Sequence, residues 1–133
     1  MEQQQQPGFD AHQMAVIGCR SASLLVRATA GSGKSTTLAA RACALITEGG
    51  LAPESLTLLT FSVRSKQDLE AKLRRLLRQS QASSSFSSFP AVQTHHAHAL
   101  AILRSAGCTA SVIEAGAQAK LVRKVLAYRG PAG

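Results

Sequence analysis

The chain has 133 residues, enough for one domain around one core, and 45% of them are hydrophobic, with few aromatics and no Trp. Its formal charge of +8 directs attention to a polyanionic partner, of which nucleic acid is the default. Three widely spaced cysteines, Cys19, Cys43 and Cys108, exclude a disulfide framework and read as buried thiols in a reducing compartment. With neither a secretory leader nor a bilayer-length apolar run, the expectation is a soluble intracellular protein.

In chain order, the Gln-rich residues 1–8 read as a disordered tail. A short helix is expected from Phe9 to about Cys19, with Asp10 as its N-cap. The apolar run Leu24–Arg27 predicts a first strand, buried on both faces. The following stretch, Ala28-Thr29-Ala30-Gly31-Ser32-Gly33-Lys34-Ser35-Thr36, opens onto a helix from Lys34 to about Thr47, closed by Gly49-Gly50. Leu56–Phe61 predicts a second strand of the kind a parallel sheet buries. A helix over Arg64–Gln79 carries Leu69, Leu73, Leu76 and Leu77 on one face. Arg64, Lys66, Lys72, Arg74, Arg75 and Arg78 lie on the other. Residues 79–90 are Ser-rich and read as a mobile loop. Ala91–Thr94 predicts a third strand, and helices follow over His95–Ala106 and Ala115–Tyr128. Strands alternating with helices imply an α/β protein with a parallel sheet.

The Gly-rich turn between strand and helix carries chemistry. Gly31 and Gly33 can adopt backbone angles closed to other residues. Main-chain N–H groups can then converge on phosphate oxygens at a helix N-terminus, where the dipole favours negative charge. Ala30, Gly31, Ser32, Gly33 and Thr36 would form the cradle. Lys34 would reach the outer phosphates, and the Ser35 hydroxyl would ligate Mg²⁺. The strict phosphate-loop spacing has Gly six residues before the Lys, where this chain has Ala28. His95, His96 and His98, with Cys108 nearby, fit no common zinc spacing.

Three blocks fall in a familiar order. The run Leu25–Leu38 around Lys34 comes first. Leu58-Leu59-Thr60-Phe61-Ser62 follows, ahead of the basic helix. The third is Val92-Gln93-Thr94-His95-His96-Ala97-His98-Ala99-Leu100-Ala101-Ile102-Leu103-Arg104. They resemble motif I, motif Ia and the Thr/aromatic/His block of the UvrD/Rep-like superfamily 1 DNA helicases. That family commonly has Ala at the position of Ala28. The resemblance continues through Ser111-Val112-Ile113-Glu114 and Gln118–Val122, similar to the segment entering the inserted subdomain 1B. Upstream, Gln13 resembles the family's adenine-reading Gln, a residue type able to donate to and accept from the N6/N7 edge.

The resemblance implies a P-loop NTPase (RecA-like) parallel sheet flanked by helices, incomplete in this chain. Residues 9–110 would be part of the ATP-binding subdomain 1A, and 111–133 the start of helical subdomain 1B. It implies ATP and Mg²⁺ as cofactors and DNA as partner, in a 3′→5′ DNA helicase of the unwinding and repair type. Phe61, which ends a strand, and Arg64, at the start of the basic helix, are the residues expected near nucleic acid. Thr94 and His96 join them by resemblance. The chain departs from the family pattern at Val63 and Arg64, where Asn and Lys are usual. It also departs at His95, in place of an aromatic, and at Thr36, often Arg.

Hydrolysis in that family needs an Asp-Glu pair ending another strand, one group on Mg²⁺ and one on water. No Asp-Glu dipeptide occurs here, and the only aspartates are Asp10 and Asp68. No catalytic residue is therefore assigned. The expectation is part of a longer helicase running on past Gly133, inactive alone. The alternative is a non-catalytic, nucleotide-dependent module that binds single-stranded DNA or protein.

Overall fold

The structure is a computed structural model that describes residues 8–80 and 88–127. Helix α1 (Ala11–Gly18) is followed by α2 (Lys34–Thr47), a 3₁₀ turn (Pro53–Ser55), strand β1 (Thr57–Thr60) and α3 (Val63–Gln79). Strand β2 (Ala91–Thr94), α4 (His95–Ser105) and α5 (Ala115–Ala127) complete the order. The chain divides into two compact units, Met1–Ala99 and Leu100–Gly133. Among the described residues, no helix is long and apolar enough to cross a membrane.

In the first unit β1 and β2 form a two-stranded parallel sheet, with Leu58 opposite Val92 and Thr60 opposite Thr94. Parallel neighbours require a crossover, and α3 supplies it. Leu69, Leu73 and Leu77 recur every four residues and are buried, as the helical period demands. They meet Ala39, Ala42, Cys43 and Ile46 of α2 and Leu58 and Val92 of the sheet, which makes one core. Ser62 caps α3, its hydroxyl accepting from the Ser65 N–H at 3.1 Å. On the outer face Lys72 pairs with Asp68 and Arg74 with Glu70, both at i,i+4. The Arg74 guanidinium also lies 4.2 Å from the Phe89 ring centroid.

Three expectations are corrected. Leu24–Arg27 carries neither strand nor helix, and among the described residues the sheet has two strands where three were expected. Leu25 is 86% exposed and Leu24 and Val26 are about half exposed, so the segment is not buried on both faces. A strand exists only by pairing, and β1 and β2 pair with each other. Apolar patterning marks a segment that needs cover without naming what covers it. The thiols are not uniformly buried either: Cys43 is buried, Cys19 half-buried and Cys108 exposed. Finally, the helix expected to reach Gln79 does so, and it is the loop expected over 79–90 that is shortened, since Gln79 is helical and Phe89 packs against the core. Residues 1–7 of the expected tail (1–8), the loop residues 81–87 and the end of the last helix at Tyr128 lie outside the described residues.

Candidate nucleotide site

The Gly-rich loop leads directly into α2, whose N-cap is Gly33 with φ +79° and ψ +18°. Gly31 has φ +75°. Both angles are in the left-handed region that glycine enters without a Cβ penalty. The loop is folded about the Thr29 carbonyl. That oxygen accepts from the Ser32 N–H at 3.4 Å and the Ser32 hydroxyl at 2.8 Å. It also accepts from Lys34 Nζ at 2.5 Å, and the same ammonium lies 3.3 Å from the Ala28 carbonyl. The Lys34 cation thus lies back over the loop, satisfied by neutral carbonyls that an anion would outcompete.

At the start of α2, the N–H groups of Lys34, Ser35 and Thr36 have no intrahelical acceptor by position. The first helical bond runs from the Thr37 N–H to the Gly33 carbonyl at 2.9 Å, and the buried Thr37 hydroxyl donates to that oxygen at 3.1 Å. Ala30, Gly31, Ser32, Lys34 and Ser35 are exposed, whereas Gly33 and Thr36 are half-buried. The loop therefore presents free donors, a cation and a hydroxyl on one accessible surface.

Helix α1 brings Gln13 to this loop. Asp10 and Gln13 form a reciprocal capping box. Asp10 Oδ1 accepts from the Gln13 N–H at 2.8 Å, and Gln13 Oε1 accepts from the Asp10 N–H at 3.0 Å. The same carboxamide donates from Nε2 to the Ser32 carbonyl at 3.2 Å, across nineteen residues of chain. Gln13 is half-buried. A cleft of about 530 Å³ is lined by Gln13, Val16, Leu24, Val26, Ser32, Lys34, Leu38 and Arg41, among others. Leu24 and Val26 line it, while Leu25 between them does not. That volume is in the range of small-molecule sites, and the mix of apolar walls with a few polar groups is typical of them.

Arg41 carried no functional reading from the sequence. It reaches back to α1, its Nη1 donating to the Val16 and Cys19 carbonyls at 2.5 and 2.6 Å. Its acceptors are main-chain oxygens 25 and 22 residues away, which leave no trace in side-chain pattern.

The four residues expected near nucleic acid gather elsewhere. Thr94 ends β2 opposite Thr60, and Phe61 follows β1 directly with 83% exposure. Arg64 and His96 are exposed in the first turns of α3 and α4. The Thr94 hydroxyl accepts from the Ala97 N–H at 3.2 Å and so caps α4. His95 Nδ1 lies 2.8 Å from the Thr60 carbonyl, which ties the two strand ends together. None of the four lines the cleft.

The family described as UvrD/REP helicase N-terminal domain matches residues 9–126. The chain is 35% identical over 82 residues to DNA helicase IV of Escherichia coli (strain K12), a match covering 62% of this chain and 11% of that protein. It is 33% identical over 66 residues to a putative ATP-dependent DNA helicase, YjcD, of Bacillus subtilis (strain 168), covering 50% of this chain and 9% of the relative. The matched segments thus span about a tenth of either relative's length. With its loop, its helices and nearly its whole length within the matched region, the chain belongs to the UvrD/REP helicase N-terminal domain family.

Proposed function

We propose that this chain is the ATP-binding portion of an ATP-dependent 3′→5′ DNA helicase, built on the P-loop (RecA-like) plan. The observation that carries the reading is the conjunction at the start of α2. Two glycines at positive φ, a Lys34 ammonium laid over loop carbonyls and a Gln13 carboxamide bonded to the loop all meet there. Charge-assisted bonds to phosphate oxygens would replace the Lys34 contacts to Thr29 and Ala28. The amides of Gly33 to Thr36 would add neutral donors, and the helix dipole would favour the anion. The cleft beside Gln13 offers apolar walls for a purine, and Gln13 would read its edge.

The site fits Mg²⁺ bound with the triphosphate. A Cβ at Gly33 would meet Gln13 Nε2 at 3.0 Å, whereas one at Gly31 would meet nothing within 4 Å, so Gly31 leaves its main chain open to approach by a phosphate. Ser35, exposed in the first turn of α2, would supply the hydroxyl ligand. Bound there, the ion would neutralise phosphate charge. Phe61, Arg64, Thr94 and His96 would meet DNA, where an exposed aromatic and a nearby cation suit a single strand. Titration of the chain with Mg-ATP and with single-stranded DNA tests the two halves separately. Saturable ATP binding that needs Lys34 is the expected result, and no binding would end the reading.

A second reading has a specific observation behind it. Both aspartates are already engaged: Asp10 caps α1, and Asp68 pairs with Lys72 at 2.7 Å. Neither ends a strand, so these residues alone would bind nucleotide without hydrolysing it efficiently. On that reading the chain is a nucleotide-dependent module for single-stranded DNA or protein. Retention of single-stranded DNA by the chain with and without Mg-ATP distinguishes them, since only the second reading expects nucleotide-dependent retention; turnover that survives Lys34→Ala would contradict both.

A further inference from the structure

We infer that Arg41 is a positioning residue for base selectivity, acting through α1 on Gln13; this rests on the nucleotide-site reading above. Helix α1 has eight residues and buries none of them. A helix that short is not stable by itself, so its place on the protein depends on the half-buried Val16 and Ile17 and on a few polar ties. At its N-terminal end the tie is Gln13 to the Ser32 carbonyl. At its C-terminal end Arg41 Nη1 donates to the Val16 and Cys19 carbonyls at 2.5 and 2.6 Å. Arg20 and Glu48 add a third contact at 3.4 Å, but it is exposed and weak.

The Arg41 bonds are of a different kind. Arg41 is half-buried, and its charge stands at a helix C-terminus, where terminal carbonyls lack partners and the dipole favours a cation. It belongs to α2, whose buried face is part of the core, so it transfers the rigidity of the core to α1. Val16 is one turn from Gln13, and both line the cleft with Arg41. Gln13 is thereby fixed from both ends of α1. Lys34 and the loop amides belong to α2 and its N-terminus and do not depend on that anchor. Loss of Arg41 should thus uncouple recognition of the base from recognition of the triphosphate.

Calorimetric titration of the full chain with Mg²⁺ complexes of ATP, GTP and inorganic tripolyphosphate tests this. Arg41→Met keeps the aliphatic length and helix propensity while removing the donors. It should weaken ATP about tenfold and erase the preference for ATP over GTP, while tripolyphosphate affinity stays within about twofold. Gln13→Ala should do the same. The double variant should be no worse than either single one, since residues acting through one contact are not additive. Should the Met variant not fold, Arg41→Lys, with the charge but without the planar fork, should lose about threefold in ATP-over-GTP preference.

Unchanged preference in Arg41→Met, or in Arg41→Lys where that variant is used, would overturn the inference. So would an equal loss for ATP and tripolyphosphate, or additive losses in the double variant. A wild-type chain that binds neither ATP nor tripolyphosphate would instead overturn the nucleotide-site reading beneath it.

Discussion

The Gln13 carboxamide bridges two termini. Its oxygen accepts from the Asp10 N–H that opens α1, and its nitrogen donates to the Ser32 carbonyl, just ahead of α2, at 3.2 Å. Gly33 lies against the same nitrogen, and a Cβ built there would approach to 3.0 Å. At φ +79° that Cβ would also be strained. Gly33→Ala should therefore cost about 1–2 kcal/mol in backbone strain. It should also displace Gln13. The expected outcome is a thermal midpoint lowered by several degrees and a larger loss of Mg-ATP affinity, measured on the same sample.

Asp10→Ala removes the other half of the box. Caps of this kind contribute about 0.5–2 kcal/mol to their helix. Because α1 buries no residue, the loss should stay local. Amide exchange at Gln13 and Met14 should speed up, while protection of α2 and β1 is unchanged. A global shift in exchange would mean that α1 is part of the cooperative core.

How much of this could be read in the sequence depends on where each interaction resides. Local signals were legible. Asp10 as N-cap, the α2 start at Lys34, β2 at Ala91–Thr94 and the Leu face of α3 follow from capping chemistry and period. Asp10 with Gln13 three residues on is also a capping-box spacing, so this reciprocal bond too is a local signal. Leu24–Arg27 misled because its apolar residues record a need for cover, while strand formation depends on a neighbouring backbone. Arg41 was invisible because its partners are carbonyl oxygens, which every residue possesses. The family resemblance rested on ordered motifs, and those survive independently of pairing.

The core carries its own expectation. Leu73 is fully buried among α2, α3 and sheet residues, together with Ile46 and Leu69. Leu73→Ala should destabilise the protein by about 2–5 kcal/mol, from lost transfer energy plus the cavity left behind. Met14, 55% exposed on α1, offers the contrast: Met14→Ala should stay within about 0.5 kcal/mol. Urea unfolding of both variants checks the ranking, and a loss at Leu73 below 1 kcal/mol would argue against this core.

The three thiols should react in order of access. Cys108 is exposed and Cys19 half-buried. Burial pushes the Cys43 thiol above its ordinary range, and Ser80 and Thr47 only partly oppose that. Thiolate is the reactive form, so iodoacetamide should label Cys108 first, Cys19 next and Cys43 only on unfolding. The raised value also has a sign for stability. Below the ordinary thiol range Cys43 is neutral in both states and costs nothing. As pH rises through that range the unfolded thiol ionises first, so stability falls. Cys43→Ala should flatten that alkaline decline in an unfolding series against pH.

Lys34 is the residue on which the nucleotide reading depends, since its ammonium rests on loop carbonyls that phosphate oxygens would replace. The decisive measurement is the Mg-ATP dissociation constant of the wild-type chain beside Lys34→Ala, with circular dichroism confirming equal folding. Lys34 is exposed and contributes nothing to the core, so the fold should be unaffected. Affinity should fall by about tenfold or more, the scale of one lost charge-assisted phosphate contact. Equal affinity in the two proteins would show that the loop at the head of α2 does not hold the triphosphate.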